Sequence, residues 1–340
     1  MLLNVDYYQP AELTGYARSS LADEEVNRFQ LTQWLPSRAI DDLDYRFTKG
    51  GEGLTEAASF RSYDAESPVG SRPGVSRVTG ELPPISRKIR LGEYDRLKQR
   101  GANAGIANGL LTDTERMVRA VAARIEVARG NALVDGVVEL NENGVIATVD
   151  YGRKPEHSVA AAASWADPET DILGDMLTWR DTYVATNGAE PGAMVMSRTV
   201  LAYMLRNEAF RQLVGTMVGT PSIVSRSSLD AMLTSHDLPG IFTYDAQVKV
   251  DGENTRIIPN DVLLFLPAPT GDPDGTDLGA TLWGTTAEAL DPNYAVEEAP
   301  GIVAGAYSTQ DPIAIWTKAA AIALPILANP DLSFKADVVP

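Results

Sequence analysis

The sequence predicts a mixed α+β fold, because one long helix, one β-hairpin and an alternation of helix and strand patterns follow each other along it. Thr112 and Glu115 have the spacing of a capping box at the start of a helix. The apolar residues after them recur at three- and four-residue steps as far as Gly136. We therefore expect a helix over about residues 113–135, which at 1.5 Å per residue is roughly 35 Å long. The apolar residues on its predicted buried face are Val118, Val121, Ile125, Ala128 and Ala132.

A β-hairpin is predicted directly after this helix. The apolar segments Val137–Leu140 and Val145–Val149 flank the pair Asn143-Gly144. Asn-Gly readily adopts the positive φ angles of a tight hairpin turn. Farther along, strand and helix patterns alternate, and the end of the chain reads as strands that return to an existing sheet. The predicted strands are Ala193–Met196, Val262–Leu266, Ala314–Ala323 and Asp331–Val339, and the predicted helices are Ile172–Tyr183, Arg198–Leu205 with Ser197 as its cap, and Ser228–Leu233.

The first hundred residues do not show the pattern of a self-contained core. Residues 1–44 are polar with scattered apolar anchors, and they predict an extended arm with one short helix near Asp23–Leu31. Residues 45–92 are rich in glycine and proline, with strand-like pieces only around Asp44–Phe47 and Ile85–Leu91. A loop of this length needs packing partners. We therefore expect the arm and the loop to pack on neighbouring copies of the chain.

Charge is divided unevenly along the 340 residues, which carry a formal net charge of −17. Residues 1–131 hold 18 acidic and 18 basic residues, whereas the remainder holds 28 acidic and 11 basic ones. Such an acidic body would repel nucleic acid. The acidity either serves solubility alone or allows DNA to be enclosed without being bound.

One stretch of the chain is strongly basic. Within Arg72–Arg100, eight basic residues meet three acidic ones. This stretch is either a solvated charged loop or a surface that docks on the acidic body of an adjacent copy. The candidate inter-subunit assembly residues are Arg72, Arg77, Arg87, Lys88 and Arg90.

Motifs of catalysis and metal binding are lacking. The glycine-containing segment Gly215–Ser222 has no P-loop lysine, and no nucleophile elbow occurs. His157 and His236 are far apart and are predicted to be surface or capping residues. The acidic turn Asp272–Asp277 lacks the ligand spacing of a calcium loop and reads as a connector. We therefore predict no catalytic, cofactor-binding or metal residue, and we predict core anchors at Trp165, Trp179, Trp283 and Trp316.

Composition also bears on compartment. With no cysteine, the chain can form no disulfide or thiolate metal site, and this fits assembly in a reducing cytoplasm. The first twenty residues lack a secretory signal, and the apolar stretch Ile313–Leu327 contains Lys318 and Pro325 and is too short to cross a bilayer as a helix. We expect neither export nor a membrane partner.

The second half of the chain resembles the phage major capsid protein E family, the lambda-type branch of the tailed-bacteriophage shell proteins. The resemblance runs from about residue 110 to the end as an ordered series of short motifs, and residues 1–110 match in character only. These motifs are Asp150-Tyr151-Gly152, Trp165, Pro191, Met194–Ser197, Leu238–Ile241, Tyr244-Asp245, Ile258–Asp261, Trp283–Thr285, Ala299–Gly301, Asp311-Pro312, Trp316-Thr317 and Leu324–Leu327.

The resemblance implies the Hong Kong 97-type phage capsid fold and a division of the chain into its parts. Residues 1–44 would be the N-terminal arm and residues 45–92 the extended loop. Residues 93–150 would form the peripheral domain, with its spine helix and the Asn143-Gly144 hairpin. Residues 151–310 would form the axial domain, and residues 311–340 would supply strands returning to the peripheral domain.

The resemblance also implies a structural role without catalysis. Copies would self-assemble into hexamers and pentamers of an icosahedral shell that encloses double-stranded DNA without binding it specifically, in the virion, after assembly in the host cytoplasm. A separate scaffolding protein is expected because no long helical segment could serve as a fused one, and a portal and a cementing protein are expected beside it. Some relatives cross-link a loop lysine, but no motif gives Lys49 or Lys88 that role. The alternatives are a bacterial nanocompartment shell protein and a soluble α+β enzyme.

Overall fold

The computed structural model describes residues 2–49, 76–98, 103–142, 144–215, 221–250, 252–297 and 299–339. Its described helices are α1 (Pro10–Asn27), α2 (Glu93–Lys98), α3 (Asn103–Asp135), α4 (Ile172–Asn187), α5 (Arg198–Arg206), α6 (Glu208–Val214) and α7 (Arg226–Ser235). Its described strands are β1 (Leu2–Leu3), β2 (Ser37–Ala39), β3 (Asp44–Lys49), β4 (Ser76–Glu81), β5 (Pro84–Leu91), β6 (Val137–Glu142), β7 (Val145–Asp150), β8 (Ser158–Ala160), β9 (Ala193–Met196), β10 (Gly240–Thr243), β11 (Gln247–Val250), β12 (Glu253–Arg256), β13 (Val262–Leu266), β14 (Gly279–Gly284), β15 (Val303–Gln310), β16 (Ile313–Leu327) and β17 (Phe334–Asp337). None of the described helices combines the length and apolarity needed to span a bilayer.

The first sheet is built on β16, a strand of 15 residues. Strands β15 and β14 pair one after the other along one edge of β16 and continue to β1 and β2, while β5 pairs along the other edge. Ile322 lies between them, because it pairs with Gly284 on one edge and with Pro84 on the other. Helix α3 packs across this sheet, together with α1.

The second sheet has the strand order β10-β9-β13-β17-β8. Every residue of β9 and β13 is buried, as expected for strands covered on both faces. Residues of α4, α5 and α7 pack into the same apolar cluster as these strands. Both strands had been predicted with these bounds. Three further strand pairs form two-stranded ribbons, namely β3–β4, β6–β7 and β11–β12.

Helix α3 has 33 residues and starts ten positions before its predicted start. Thr112 does not cap it, because its hydroxyl donates to the carbonyl oxygen of Asn108, 3.0 Å away, within the helix. The predicted buried face is confirmed, since all five of its apolar residues are buried. The helix ends before Gly136, whose φ of +69° is typical of a residue after a helix terminus. The predicted hairpin is confirmed as β6–β7, with Gly144 at φ +90°.

The arm is folded onto its own chain, which corrects the prediction of an extended arm with a short helix near Asp23–Leu31. Helix α1 packs on α3 and β15 through Leu13 and Ala17, which are both buried. The N–H of Gln9 donates to the Glu12 carboxylate over 3.0 Å at its start. Because the buried face consists largely of small or polar residues, it left only a weak apolar periodicity in the sequence.

The loop prediction also needs a correction at its second leg. Residues 84–91 form β5, which pairs with eight residues of β16 in the first sheet. Ile85, Ile89 and Leu91 pack against the core under α3. The protruding ribbon is therefore β3–β4, and residues 50–75 at its far end lie outside the described residues.

The sheets do not follow the predicted division at residues 150 and 310. Strands β14 and β15, predicted within the axial domain, belong to the first sheet. Strand β17, predicted to return with β16, joins the second sheet instead through β13 and β8. The two sheets are thus each completed by segments from both halves of the chain.

A buried ionic cluster joins α3 to α1 and to β14. The Arg129 guanidinium donates to Glu25 over 2.7 Å, to Glu126 over 3.2 Å and to Thr281 of β14 over 2.8 Å. Arg129 and Glu126 have side chains only 1% and 0% exposed. Burial raises the pKa of Glu126, and the nearby Arg129 opposes that rise.

Glu126 also accepts two hydrogen bonds from outside its own helix. The backbone N–H of Leu31 donates over 2.9 Å and the Tyr244 hydroxyl over 2.5 Å. Since a buried carboxylate without such partners would be strongly unfavourable, these contacts fix the positions of the segments that supply them.

His157 is buried in the second-sheet core, which corrects its prediction as a surface or capping residue. Neither ring nitrogen has a hydrogen-bond partner among the described residues. Its ring packs edge-on against Phe334 at 5.3 Å between centroids and lies 6.0 Å from Tyr183. Burial lowers the pKa of His157 from its ordinary value of 6.5. His236, by contrast, is the C-terminal cap of α7, as predicted.

We expect Arg129→Met to lower the free energy of unfolding of the unassembled subunit by about 3–5 kcal/mol, because it leaves Glu126 buried without its cation. The double variant Arg129→Met/Glu126→Gln should recover part of that loss. Urea unfolding measures both. Arg38→Met, which breaks an exposed pair with Asp274, is the control and should cost under about 1 kcal/mol. Equal losses of unfolding free energy in the single and double variants would contradict the role of Arg129 as the cation that neutralises Glu126.

We expect the pH dependence of unfolding to report on His157. When the folded pKa of a histidine is depressed, the residue does not reduce the free energy of unfolding above its unfolded pKa of about 6.5. Below that pH the unfolded chain binds a proton that the folded chain excludes, so the free energy of unfolding falls. His157→Leu should therefore weaken the decline in unfolding free energy between about pH 7 and pH 5. Identical slopes for wild type and His157→Leu would refute the prediction.

Candidate functional site

The candidate assembly residues occupy two described strands and one segment outside the structure's description. Arg72 lies outside the described residues. Arg77 lies in β4, where its backbone pairs with Thr48. Arg87, Lys88 and Arg90 lie in β5, and all three are exposed.

Strand β5 divides its three cations between two faces of the first sheet. Side chains alternate along a strand, so Arg87 shares the face of Ile85 and Ile89, toward α3. Lys88 and Arg90 lie on the opposite, open face. The sequence grouped the three as one patch because it could not show that β5 is a paired strand, and this alternation separates them.

On the open face, Lys88 and Arg90 lie over an aromatic surface. The Lys88 ammonium is 4.7 Å from the centre of the Trp316 ring and the Arg90 guanidinium is 6.0 Å from it. Trp316 stacks on Tyr307 at 6.4 Å and an interplanar angle of 11°. Trp316 is half-buried, so its prediction as a core anchor is wrong, whereas Trp165, Trp179 and Trp283 are buried as predicted.

A partly buried ion pair borders this open face. Lys318 of β16 donates to Glu288, and Tyr294 packs nearby beneath Gly305. Burial raises the pKa of Glu288, but the hydrogen bonds to its carboxylate, foremost the one from Lys318, and the Lys318 charge together hold that pKa below its usual value. Ser86, Lys88, Tyr307 and Lys318 together line a shallow pocket. The pocket contains cations and aromatic rings, and it shows no nucleophile paired with a base.

The outer edge of β5 carries no paired strand among the residues described. Its exposed N–H and C=O groups can accept another strand, and charged residues on such an edge also discourage uncontrolled pairing. Arg87, Lys88 and Arg90 fit both roles.

No group of three or more His, Asp or Glu side chains is placed to hold a metal ion within the described part of the chain. At the predicted connector Asp272–Asp277, Asp274 pairs with Arg38 over 2.6 Å, and both side chains are largely exposed. This pair ties the connector to the end of β2.

Comparisons with known proteins give a family and a set of solved structures. The sequence profile of a family described as phage major capsid protein E matches residues 48–338. No curated protein sequence matches the chain.

Three solved structures illustrate the likeness in fold. A putative capsid protein of a prophage of E. coli CFT073 has 15% identity and a TM-score of 0.57 over 78% of this chain and 80% of that one. A phage-related protein from Bordetella bronchiseptica RB50 has 14% identity and a TM-score of 0.56 over 96% of both chains. The capsid structure of cyanophage P-SCSP1u has 9% identity and a TM-score of 0.51 over 89% of this chain and 86% of that one.

Proposed function

The chain belongs to the phage major capsid protein E family, and on that premise we propose that its copies form the hexamers and pentamers of an icosahedral shell around double-stranded DNA. The observation that carries the proposal is the family match over residues 48–338. The protein is a major capsid protein with the Hong Kong 97-type fold, as the sequence predicted, and its place is the virion. A capsid subunit works by self-association, so the family implies a structural and not an enzymatic role.

The assignment of the subunit's parts to a peripheral domain, an axial domain and an extended loop belongs to this proposal. Helix α3 acts as the spine of a peripheral domain with the first sheet, and the second sheet with α4, α5 and α7 forms the axial domain. The ribbon β3–β4 is the extended loop. Its strands pair only with each other among the described strands, which supports a role in reaching a neighbouring copy.

The basic residues of the loop and of β5 serve as contacts between copies. Arg87, Lys88 and Arg90 are exposed on a strand whose outer edge pairs with none of the described strands, which supports this role. Arg72 and Arg77 belong to the same set because they lie in the basic stretch Arg72–Arg100 of the sequence. A net charge of −17 disfavours specific binding of the enclosed DNA.

Other proteins complete the particle in this proposal. They are a scaffolding protein, a portal and a cementing protein, and assembly takes place in the host cytoplasm. Helix α1 supports a separate scaffold, because it is packed into the body through Leu13 and Ala17 and is therefore not free to act as one.

We expect the chain, expressed with a scaffolding protein, to assemble into shells, and we expect a ribbon-deleted variant under the same conditions to fold without assembling. Tyr45 and Gly80 are paired, so Asn-Gly can replace residues 46–79 and close a tight turn between them. Strand β5 must be kept, because it belongs to the first sheet. Negative-stain microscopy and thermal unfolding measure assembly and folding separately.

Two results would count against this assignment. If the ribbon-deleted variant forms shells at wild-type yield, the ribbon is not needed for assembly. A wild-type chain that stays a small oligomer with an occupied pocket would favour the enzyme alternative, and shells that enclose a protein in place of DNA would favour the nanocompartment.

We expect expression of the chain alone to give few or irregular shells, and co-expression with a scaffolding protein to give shells of uniform diameter. The reason is that a curved shell of identical subunits needs a second factor to select its size. Diameters measured by electron microscopy test this. Uniform shells of virion size from the chain alone would show that no separate scaffold is needed.

A further inference from the structure

A basic groove lies on the outer side of α3, away from the helix's buried face. It encloses about 420 Å³ between α3, the end of α1, β5, the end of β6 and β11. Ala120, Ala123 and Val127 of α3 line its floor. Six cationic side chains line it, namely Arg28, Arg87, Arg116, Arg119, Arg124 and Lys249.

Three of these cations already have partners. Arg119 pairs with Glu24 over 2.6 Å, and Arg124 pairs with Glu142 over 2.9 Å. Arg116 pairs with Asp113, one turn earlier on α3, over 3.2 Å. These pairs hold the long side chains in place and leave the groove with an excess of positive charge.

The other three cations come from three different elements. Arg28 follows α1, Arg87 lies in β5 and Lys249 lies in β11, and all three are exposed. None of them forms an ion pair with any residue that the structure describes. The Arg28 guanidinium lies 5.3 Å from the centre of the Phe29 ring, which positions it without neutralising it. Residues distant in the sequence thus converge to give uncompensated positive charge.

This concentration of charge stands out against the rest of the chain. All of the net negative charge lies beyond residue 131, while five of the six groove cations lie before it. Copies that each carry a charge of −17 repel each other unless opposite charges face each other where they meet. A groove on one copy and the acidic body of the next satisfy this condition in a head-to-tail contact.

We infer that the basic groove is a docking site for an acidic surface segment of a second copy of this chain. The inference rests on the proposed shell function and names one of its contacts. A protruding Asp or Glu can approach Arg28, Arg87 and Lys249 individually. A continuous phosphate backbone would also meet the half-exposed carboxylate of Glu142, which lines the groove, so a protein segment that contacts the cations one at a time fits better than DNA.

Charge reversal tests the groove against a matched control. Lys249→Glu and Arg28→Glu/Lys249→Glu should slow shell assembly about tenfold or more at low salt, because they oppose the approach of an acidic partner. Arg206→Glu, an exposed cation at the end of α5 outside the groove, makes the same change in net charge as Lys249→Glu and should assemble at the wild-type rate. Light scattering gives the rates, and thermal unfolding checks that each subunit is folded.

The salt dependence provides a second readout. Raising the salt from about 0.05 to 0.5 M should slow wild-type assembly more than that of Lys249→Glu, because screening removes an attraction that the variant lacks. If the groove variants assemble as fast as Arg206→Glu while the wild type forms shells, the docking site is refuted and the shell function stands. If the wild type forms no shells under any condition, the proposed function itself has failed.

A photo-cross-linking side chain at position 249 identifies the occupant. In shells assembled from a mixture of isotope-labelled and unlabelled chains, we expect cross-linked peptide pairs with one labelled and one unlabelled member. One member contains position 249, and the other comes from an acidic segment beyond residue 131. Cross-links confined to one chain, to DNA or to a different protein would overturn the inference.

Discussion

The packing of the described chain depends on one buried ion pair, Glu126 with Arg129 on α3. Neither side chain is accessible to water, so each has to be satisfied by protein groups, and those groups come from the segment after α1, from β14 and from Tyr244. Gly130, beside this pair, has no Cβ, and a side chain there would collide with the backbone of Ile257. Helix α3 therefore holds β14, the residue after β10 and the N-terminal segment at one level along its length.

Much of the fold could be predicted because local signals agreed with the final structure. The Asn-Gly pair fixed the hairpin, the apolar runs of β9 and β13 marked strands buried on both faces, and Ser197 marked the start of α5 by accepting from the N–H of Val200. The buried face of α3 was equally clear. Each of these signals depends on residues close together in the sequence.

The errors arose where distant partners decide the outcome. Thr112 has capping chemistry, but nine earlier residues already belong to the helix, and its hydroxyl donates to the carbonyl oxygen of Asn108. Helix α1 has few large apolar residues, and β5 has cations between its isoleucines, so neither segment looked like part of a core. Trp316 looked like a core residue because its neighbours are apolar, yet its strand has one open face. For the candidate site, the composition identified the cations, and only the strand register could separate Arg87 from Lys88 and Arg90.

The pairing of β5 with β16 has a mechanical consequence. A ribbon that holds on to a neighbour transmits tension to its own subunit, and the connection from β4 to the body passes through Leu82 and Pro83 into β5. Where the pull runs along β5, its backbone bonds to β16 are loaded together in shear instead of being opened one at a time from an end. A pressurised container would benefit from that geometry, because the strand that anchors the ribbon yields only when all eight paired positions slip at once.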